Sequence, residues 1–499
     1  MAPSNFSVPG GRFLALLYFI IGFIVFFSGH SKQAWRELIS SARDYHWKRI
    51  LAPQLSAFFL IIYLSSKLYP NDLFAFNQEH SNYWIFWSVL LTATALITSF
   101  LSLLLIAPKA YWEHFFKTEK KTFLLALILP ASHIAVYSLS MQSEDVLSKP
   151  TMIVAKAFLD LFYTDVRADL VNRTLETSNF GVIVDQMCSG YTGIGMIVVF
   201  LAWYLRTFKS RFRFPAVLLL IPIGATLVWL SNCLRVALIV VMGTSVSSEI
   251  ASEGLHQNAG WIFFITIATG MVLISHNSRL FSRTAGGPPF SVDSTSALVI
   301  PFLLMLAATL LLSSLSAGFQ WLYPIRAMAT GLAIFLLWRH IRPESLAPSL
   351  FPVIAGIVVF VLWIMLIPAS GEIDRKFDAS LSGVSAIVSV GWIVFRLLGS
   401  VIIVPIAEEL AFRGYLPALF HGNEAGRKVR WEAHLLPFLA SSLLFGALHS
   451  ALLAGTLAGA VYYLVKLRSG RLWDAVIAHM TTNLLLSAYV LMSGHWSYW

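Results

Sequence analysis

The chain has 499 residues, of which 57% are hydrophobic and only 12% charged. Soluble globular proteins carry roughly 25% charged residues, so this balance excludes a soluble enzyme and points to an integral membrane protein. The formal net charge of +10 does not mark a nucleic-acid binder. The basic side chains fall in short loops between apolar stretches, which is the distribution that orients membrane segments. Two cysteines, Cys188 and Cys233, offer no disulfide framework.

A helix crossing about 30 Å of hydrocarbon needs roughly 20 apolar residues. Such stretches recur at 13–29, 51–69, 83–107, 122–141, 190–205, 214–243 and 259–276. They continue at 296–314, 319–338, 351–367, 384–404, 435–450, 451–467 and 472–492. The pattern predicts an all-α fold, a polytopic transmembrane helical bundle of about fourteen spans in two fused membrane domains. The first run is long and lacks a small-residue cleavage site before the basic loop that follows, so no cleavable signal peptide is expected. No internal repeat or low-complexity tract is evident.

Loop charges assign sidedness. Lys32, Arg36, Arg43, Lys48 and Arg49 fall in one loop, Lys109 to Lys121 in the next, and Arg206 to Arg213 in a third. Arg279 and Arg283, then Arg339 and Arg342, then Arg427, Lys428 and Arg430 complete the basic set. Positive loops stay in the cytoplasm. The intervening segments 70–82, 142–189, 244–258 and 368–380 are poor in basic residues and fall outside, as does the N-terminus. Segment 142–189 carries Asp160, Asp165, Asp169, Glu176 and Asp185 and is expected to include an interfacial helix near 152–163. The run SRTAGGPPFSVDS within 277–294 is rich in Gly, Pro and Ser and reads as a linker. The expected domains are therefore 1–280 and 296–499, joined by 281–295.

Ionisable groups inside apolar segments cost free energy and are functional candidates by default. The first set is Cys188, Arg235 and His256. Cys188 precedes the span 190–205 and His256 precedes 259–276, both at external ends. Arg235 falls about twenty residues into 214–243, roughly 30 Å along a helix at 1.5 Å per residue. Charge topology thus brings all three to the outer face. A thiol is a useful nucleophile only as thiolate, and a nearby imidazole or guanidinium lowers its pKa. Cys188 would attack a peptide carbonyl, His256 would handle the proton, and Arg235 would hold the oxyanion. Taken singly, each has a plainer reading: a free Cys packs as a small hydrophobe, and an Arg near a helix end snorkels. Cys233, with no such partners, reads as packing.

The strings MCSGYTG (187–193), NCLRV (232–236) and HQNAG (256–260) resemble the three signature blocks of the exosortase/archaeosortase family. The resemblance covers roughly residues 10–280. It implies a multi-span membrane protein with sortase-like chemistry on a different fold. Such a protein would cleave C-terminal sorting signals, each a short motif, an apolar helix and a basic cluster, and pass the exported protein to an acceptor. The family's Cys, Arg and His map onto Cys188, Arg235 and His256, with Asn232 as the polar residue preceding the Arg.

The second set is Glu408, Glu409, Arg413, His449, His479 and Asn483. In EELAFR (408–413), Glu409 and Arg413 share a helix face at i, i+4 and form a compensating pair. Glu408 projects about 100° away and is free to act on water. His479 and Asn483, in HMTTN, share a face of the last span. Two carboxylates, two imidazoles and an amide can deprotonate water and bind an oxyanion. No cofactor is expected. Zinc on Glu408, His449 and His479 is the metal alternative, without HExxH spacing; hydrogen bonding between helices is the structural one.

EELAFR, FGALH and HMTTN match the EExxxR, FxxxH and HxxxN pattern of the CPBP membrane proteases that process prenylated CAAX proteins, a resemblance over about residues 350–492. It implies that Glu408 or Glu409 activates water while His449, His479 and Asn483 position it and stabilise the intermediate. The order of halves resembles the exosortase E/protease fusions associated with VPEID-CTERM signals. The expected protein is a bacterial inner-membrane enzyme that meets exported protein substrates and the lipid bilayer, with no nucleic-acid partner. The rival classes are a transporter, which should show paired repeats with interrupted helices, and an assembly or polymer-export protein without peptidase activity.

Overall fold

The computed structural model describes residues 48–68, 84–118, 120, 124, 144–185, 188–283, 294–342, 349–421, 431–449 and 451–499. The predicted spans 13–29 and 122–141 (Leu124 apart), most of the linker 281–295 and the basic loop 427–430 lie outside them. Contacts divide the chain into two compact units, 1–134 with 429–433, and 135–428 with 434–499.

In the first unit, α1 (Lys48–Leu68) packs along α2 (Trp84–Ile106). Gln54 donates through Nε2 to Ser102 Oγ at 2.7 Å, the kind of polar contact that joins helices where water is absent. A short amphipathic helix, α3 (Lys109–Thr118), follows, and Trp112 Nε1 donates to the Leu103 carbonyl at 2.8 Å.

The second unit opens with α4 (Glu144–Leu159), placed somewhat earlier than the interfacial helix expected near 152–163. A feature absent from the all-α expectation comes next. Strands β1 (Arg167–Asp169), β2 (Thr174–Glu176) and β3 (Gly181–Ile183) form a small antiparallel meander, with Ala168 opposite Leu175 and Leu175 opposite Val182. Three residues per strand leave too little alternation to read in sequence.

Every other predicted span coincides with a helix. These are α5 (Tyr191–Thr207), α6 (Leu220–Ser245), α7 (His256–Asn277), α8 (Ile300–Ser314), α9 (Tyr323–Ile341) and α10 (Leu350–Leu366). The amphipathic α11 (Gly371–Ser382) bends 109° from α10. The long α12 (Ala386–Leu419), α13 (Trp431–Ala447) from His434 onward, α14 (Leu452–Ser469) and α15 (Leu472–Ser493) complete the unit. Among the described residues, four helices are long and apolar enough to cross a membrane, or six if each bent pair is one span. The others are shorter apolar helices or carry charges at their ends, and two of the fourteen expected spans lie outside the described residues.

The helices turn large apolar side chains outward: Phe335 of α9 and Met365 of α10 are both mostly exposed. Toward one another they present small and polar groups, and Thr482 of α15 donates to the Gly356 carbonyl of α10 at 2.9 Å. That is the packing expected when lipid, not water, surrounds the bundle. At one end of α5–α7, the loop 208–215 meets 278–283: Arg213 N–H donates to the Phe281 carbonyl at 2.8 Å. Arg206, Lys209, Arg211, Arg213, Arg279 and Arg283, all predicted to be cytoplasmic, lie in or beside these two loops. Cys188 and His256 stand at the opposite end.

Candidate functional site

The Cys188 end is built around one irregular turn. Gly190 has φ +98°, a left-handed conformation that side chains disfavour, and a Cβ there would also press on Asn232 and Trp229. This turn lets α5 start abruptly and leaves Cys188 facing α6. Three bonds hold it. Asn232 Nδ2 donates to the Cys188 carbonyl at 2.7 Å, Thr151 Oγ1 donates to the Ser189 carbonyl at 3.0 Å, and Trp229 Nε1 donates to Thr151 Oγ1 at 3.0 Å. Arg235, one turn beyond Asn232 along α6, donates through Nη2 to Cys188 Sγ at 3.5 Å. Its other terminal nitrogen lies against α7, 3.0 Å from where a Cβ on Gly260 would stand. His256 is the first residue of α7 and close enough to Arg235 and Asp185 to feel both charges. No hydrogen bond joins it to Cys188 among the described residues. Cys233 is fully buried beside Thr151.

Asp185 belongs to this cluster although composition marked it only as one acid of an acidic segment. Its Oδ1 accepts from the Cys188 N–H at 3.1 Å. The thiol differs from the thiolate expected of a Cys beside a guanidinium. Burial pushes Cys188 up to about 11; Arg235 pulls the other way, and the Asp185 carboxylate opposes that pull. Desolvation outweighs one partly buried cation. In the free protein the sulfur is therefore a neutral thiol at pH 7, and any nucleophilic role needs a base. In a Cys233→Ala background, alkylation of Cys188 by a small neutral reagent should climb roughly tenfold per pH unit from pH 7 to 10 and level only near 11, tracking the thiolate fraction. A plateau below pH 8 would mean that the cation prevails over burial.

The second cluster lies on α12, which is widened by two π turns, Gly399–Ile403 and Leu410–Tyr415, on either side of Val404–Glu409. Such turns leave carbonyls without their regular partners and recur at functional sites. Here other helices supply the donors. Asn483 Nδ2 donates to the Ser400 carbonyl at 2.8 Å, Ser441 Oγ donates to the Phe412 carbonyl at 2.9 Å, and Lys466 Nζ donates to the Arg413 carbonyl. Lys466 and Ser441 escaped the motif reading; a lysine inside an apolar helix was the available signal.

Glu409 is fully buried, and its Oε1 accepts from Arg413 Nη1 at 3.1 Å and His479 Nδ1 at 3.0 Å. Arg413 also donates through Nη2 to the Gly459 carbonyl at 2.8 Å and lies 4.4 Å over the Phe445 ring. Tyr462 stacks on His479 with centroids 4.7 Å apart. His449 Nδ1 lies 2.7 Å from the Phe445 carbonyl; a carbonyl only accepts, so Nδ1 carries the proton and Nε2 is the acceptor. The His449 ring packs against Phe445 and Trp363. Glu408 is buried, and its Oε2, like Glu409 Oε2, has no partner in the described structure. A buried carboxylate oxygen left open is where a water or substrate group gains most. The fold thus joins Glu409, Arg413 and His479 directly, sets His449 beside Phe445, and gives Asn483 to a backbone carbonyl. Among the described residues, no three His, Cys, Asp or Glu side chains group as a metal site.

A helical bundle with lipid-facing apolar surfaces and two separate polar clusters defines a multi-pass membrane protein. The chain belongs to the transmembrane exosortase family, whose family model, Transmembrane exosortase (EpsH), matches residues 11–273, just over half of its length. A second family model, Type II CAAX prenyl endopeptidase Rce1-like, matches residues 390–485. The two matches follow one another in the order of an exosortase N-terminal half and a CAAX-protease-like C-terminal half, and the exosortase family processes exported proteins. No curated protein and no solved structure matches it.

Proposed function

We propose that the N-terminal half, residues 1–280, cleaves C-terminal sorting signals by a Cys–Arg–His mechanism and transfers the exported protein to an acceptor. Cys188 Sγ attacks the scissile carbonyl, and its proton passes to His256. The tetrahedral oxyanion takes hydrogen bonds from Arg235. Collapse breaks the C–N bond, the leaving amine takes the proton from His256, and an acyl-enzyme remains for the acceptor nucleophile. The observation that carries this reading is the 3.5 Å contact between Arg235 and Cys188 on a turn held by Asn232. The raised thiol is consistent with a mechanism in which a base acts at the moment of attack.

The C-terminal half, residues 296–499 beyond the linker 281–295, hydrolyses peptide bonds within the membrane. Glu408 takes a proton from water, while the Glu409–Arg413–His479 chain holds that carboxylate's surroundings rigid and His449, through its acceptor Nε2, helps to position the water. The enzyme sits in a bacterial inner membrane with the Cys188 site at the external face. Glu408 lies about 33 Å along α12 from its start, at 1.5 Å per residue, and Arg413, Lys466, Arg468 and Arg471 lie toward the same end. The two sites then open to opposite faces, and the second trims the signal helix left in the membrane.

The test is the size of a tagged substrate ending in such a signal. Glu408→Gln should leave the first cleavage at its wild-type rate and remove only a second fragment. Loss of all processing in Glu408→Gln, as complete as in Cys188→Ala, would mean one composite site. Arg235→Lys keeps the charge but loses the planar fork of donors, so cleavage should fall at least about tenfold, the cost of one charge-assisted hydrogen bond. A wild-type rate in the lysine variant would leave Arg235 no more than a snorkelling cation.

A further inference from the structure

Where the ends of α8 and α9 meet, a cavity of about 30 Å³ is lined by Thr309, Ser313, Ser316, Gln320, Tyr323 and Arg326, among others. Arg326 lies with Cζ 4.4 Å over one side of the Tyr323 ring, and Arg396 of α12 lies at 4.4 Å over the same ring. Arg326 Nη1 donates to Thr309 Oγ1 at 3.4 Å, a long bond, and Arg396 Nη2 donates to the Trp499 carbonyl at 2.5 Å. Neither guanidinium has an Asp or Glu partner among the described residues. Glu253, which precedes His256 by three residues, accepts from Gly318 N–H at 3.2 Å. Of the two cations over this ring, Arg326 has no anionic partner among the described residues, and an unpaired cation is costly in a low-dielectric bundle. Thr309 and Ser316 donate their hydroxyl protons to the Met305 and Leu312 carbonyls at 2.7 and 2.9 Å, so the donors left for an oxyanion are the planar Arg326 fork, the Ser313 hydroxyl and the Gln320 amide.

We propose that this cavity binds a phosphate group, with Arg326 as the principal contact and the Ser313 hydroxyl and Gln320 amide completing its donors. Two sources carry that chemistry, a phospholipid headgroup and free inorganic phosphate. The surroundings favour the lipid: Leu311, Leu315, Ile325 and Met328 are exposed on the same helices and offer a surface for acyl chains. The site also adjoins the turn before His256, because Gly254 packs against the carbonyls of Ser313, Ser314 and Ser316. A bound headgroup would therefore brace the helix that carries His256.

The full chain, purified in phosphatidylcholine nanodiscs, is titrated with phosphatidylglycerol and separately with inorganic phosphate, reading the unfolding temperature and the lipid retained in native mass spectrometry. Phosphatidylglycerol should raise the unfolding temperature with saturation. Arg326→Gln should shift half-saturation at least tenfold, the loss of one charge-assisted hydrogen bond. Arg339→Gln, at the other end of α9, should titrate as wild type. Saturation by inorganic phosphate alone would support the oxyanion site and assign it to the free ion. A Ser313→Ala/Gln320→Leu variant keeps the cation and should also weaken binding, which covers a failure of Arg326→Gln to fold. A wild-type response in both variants, or none in the wild type, overturns the site.

Discussion

Cys188→Ala is expected to lower sorting-signal cleavage by at least roughly 10³-fold, with insertion into the membrane unaffected, while Cys233→Ala stays within twofold of wild type. The two cysteines lie on neighbouring elements, and both are buried. They differ in what they touch. Cys188 receives the Arg235 guanidinium and has its backbone clamped by Asn232 and Asp185; Cys233 sits in packing beside Thr151. Cys188→Ser tests the same point with less change in volume, because an alkoxide is far harder to form at this position than a thiolate. Cleavage of a tagged substrate at full rate by Cys188→Ala would end the cysteine mechanism, and loss of activity in Cys233→Ala would show that packing alone accounts for both.

Arg413→Met should destabilise the C-terminal bundle by about 3–5 kcal/mol, the usual cost of breaking a buried ion pair from one side. Arg413 and Glu409 are fully buried, and removal of the guanidinium leaves Glu409 with His479 alone. It also frees the Gly459 carbonyl and empties the space over Phe445. Glu409→Gln/Arg413→Met, with no uncompensated charge, should regain part of the loss, because the two positions are coupled. Thermal unfolding in detergent gives the comparison. Additive losses would place the energy in packing and not in the pair. The double variant should still lack the second cleavage, since the carboxylate that positions His479 is gone.

Several features were legible from residues alone. The helices follow apolar stretches because a membrane leaves no other way to satisfy backbone polar groups over 20 residues. The motif residues were legible because a few ionisable groups stand out in a chain with so little charge. Asp185 was hidden for the opposite reason: it is one of several acids in a polar external segment, and only its bond to the Cys188 N–H distinguishes it. Lys466 and Ser441 were missed because their partners are carbonyls of a π turn in another helix, and no period in the sequence reports a π turn.

The sequence by itself determined the class of the protein, a helical membrane bundle, and the identities of the groups available for chemistry, since composition and spacing are properties of the chain. The tertiary structure decided which of those groups meet and in what state. Arg235 reaches Cys188 only because the left-handed turn at Gly190 and the Asn232 bond set the sulfur against α6. The thiol is neutral because burial, a property of the packed molecule, outweighs the cation that the sequence placed beside it. Glu408 and Glu409 are adjacent in the chain, and each keeps one oxygen open, yet the fold pairs the other oxygen of Glu409 with Arg413 and His479 and gives Glu408 no hydrogen bond among the described residues. Desolvation and partner choice depend on three dimensions, and that is where the two carboxylates part.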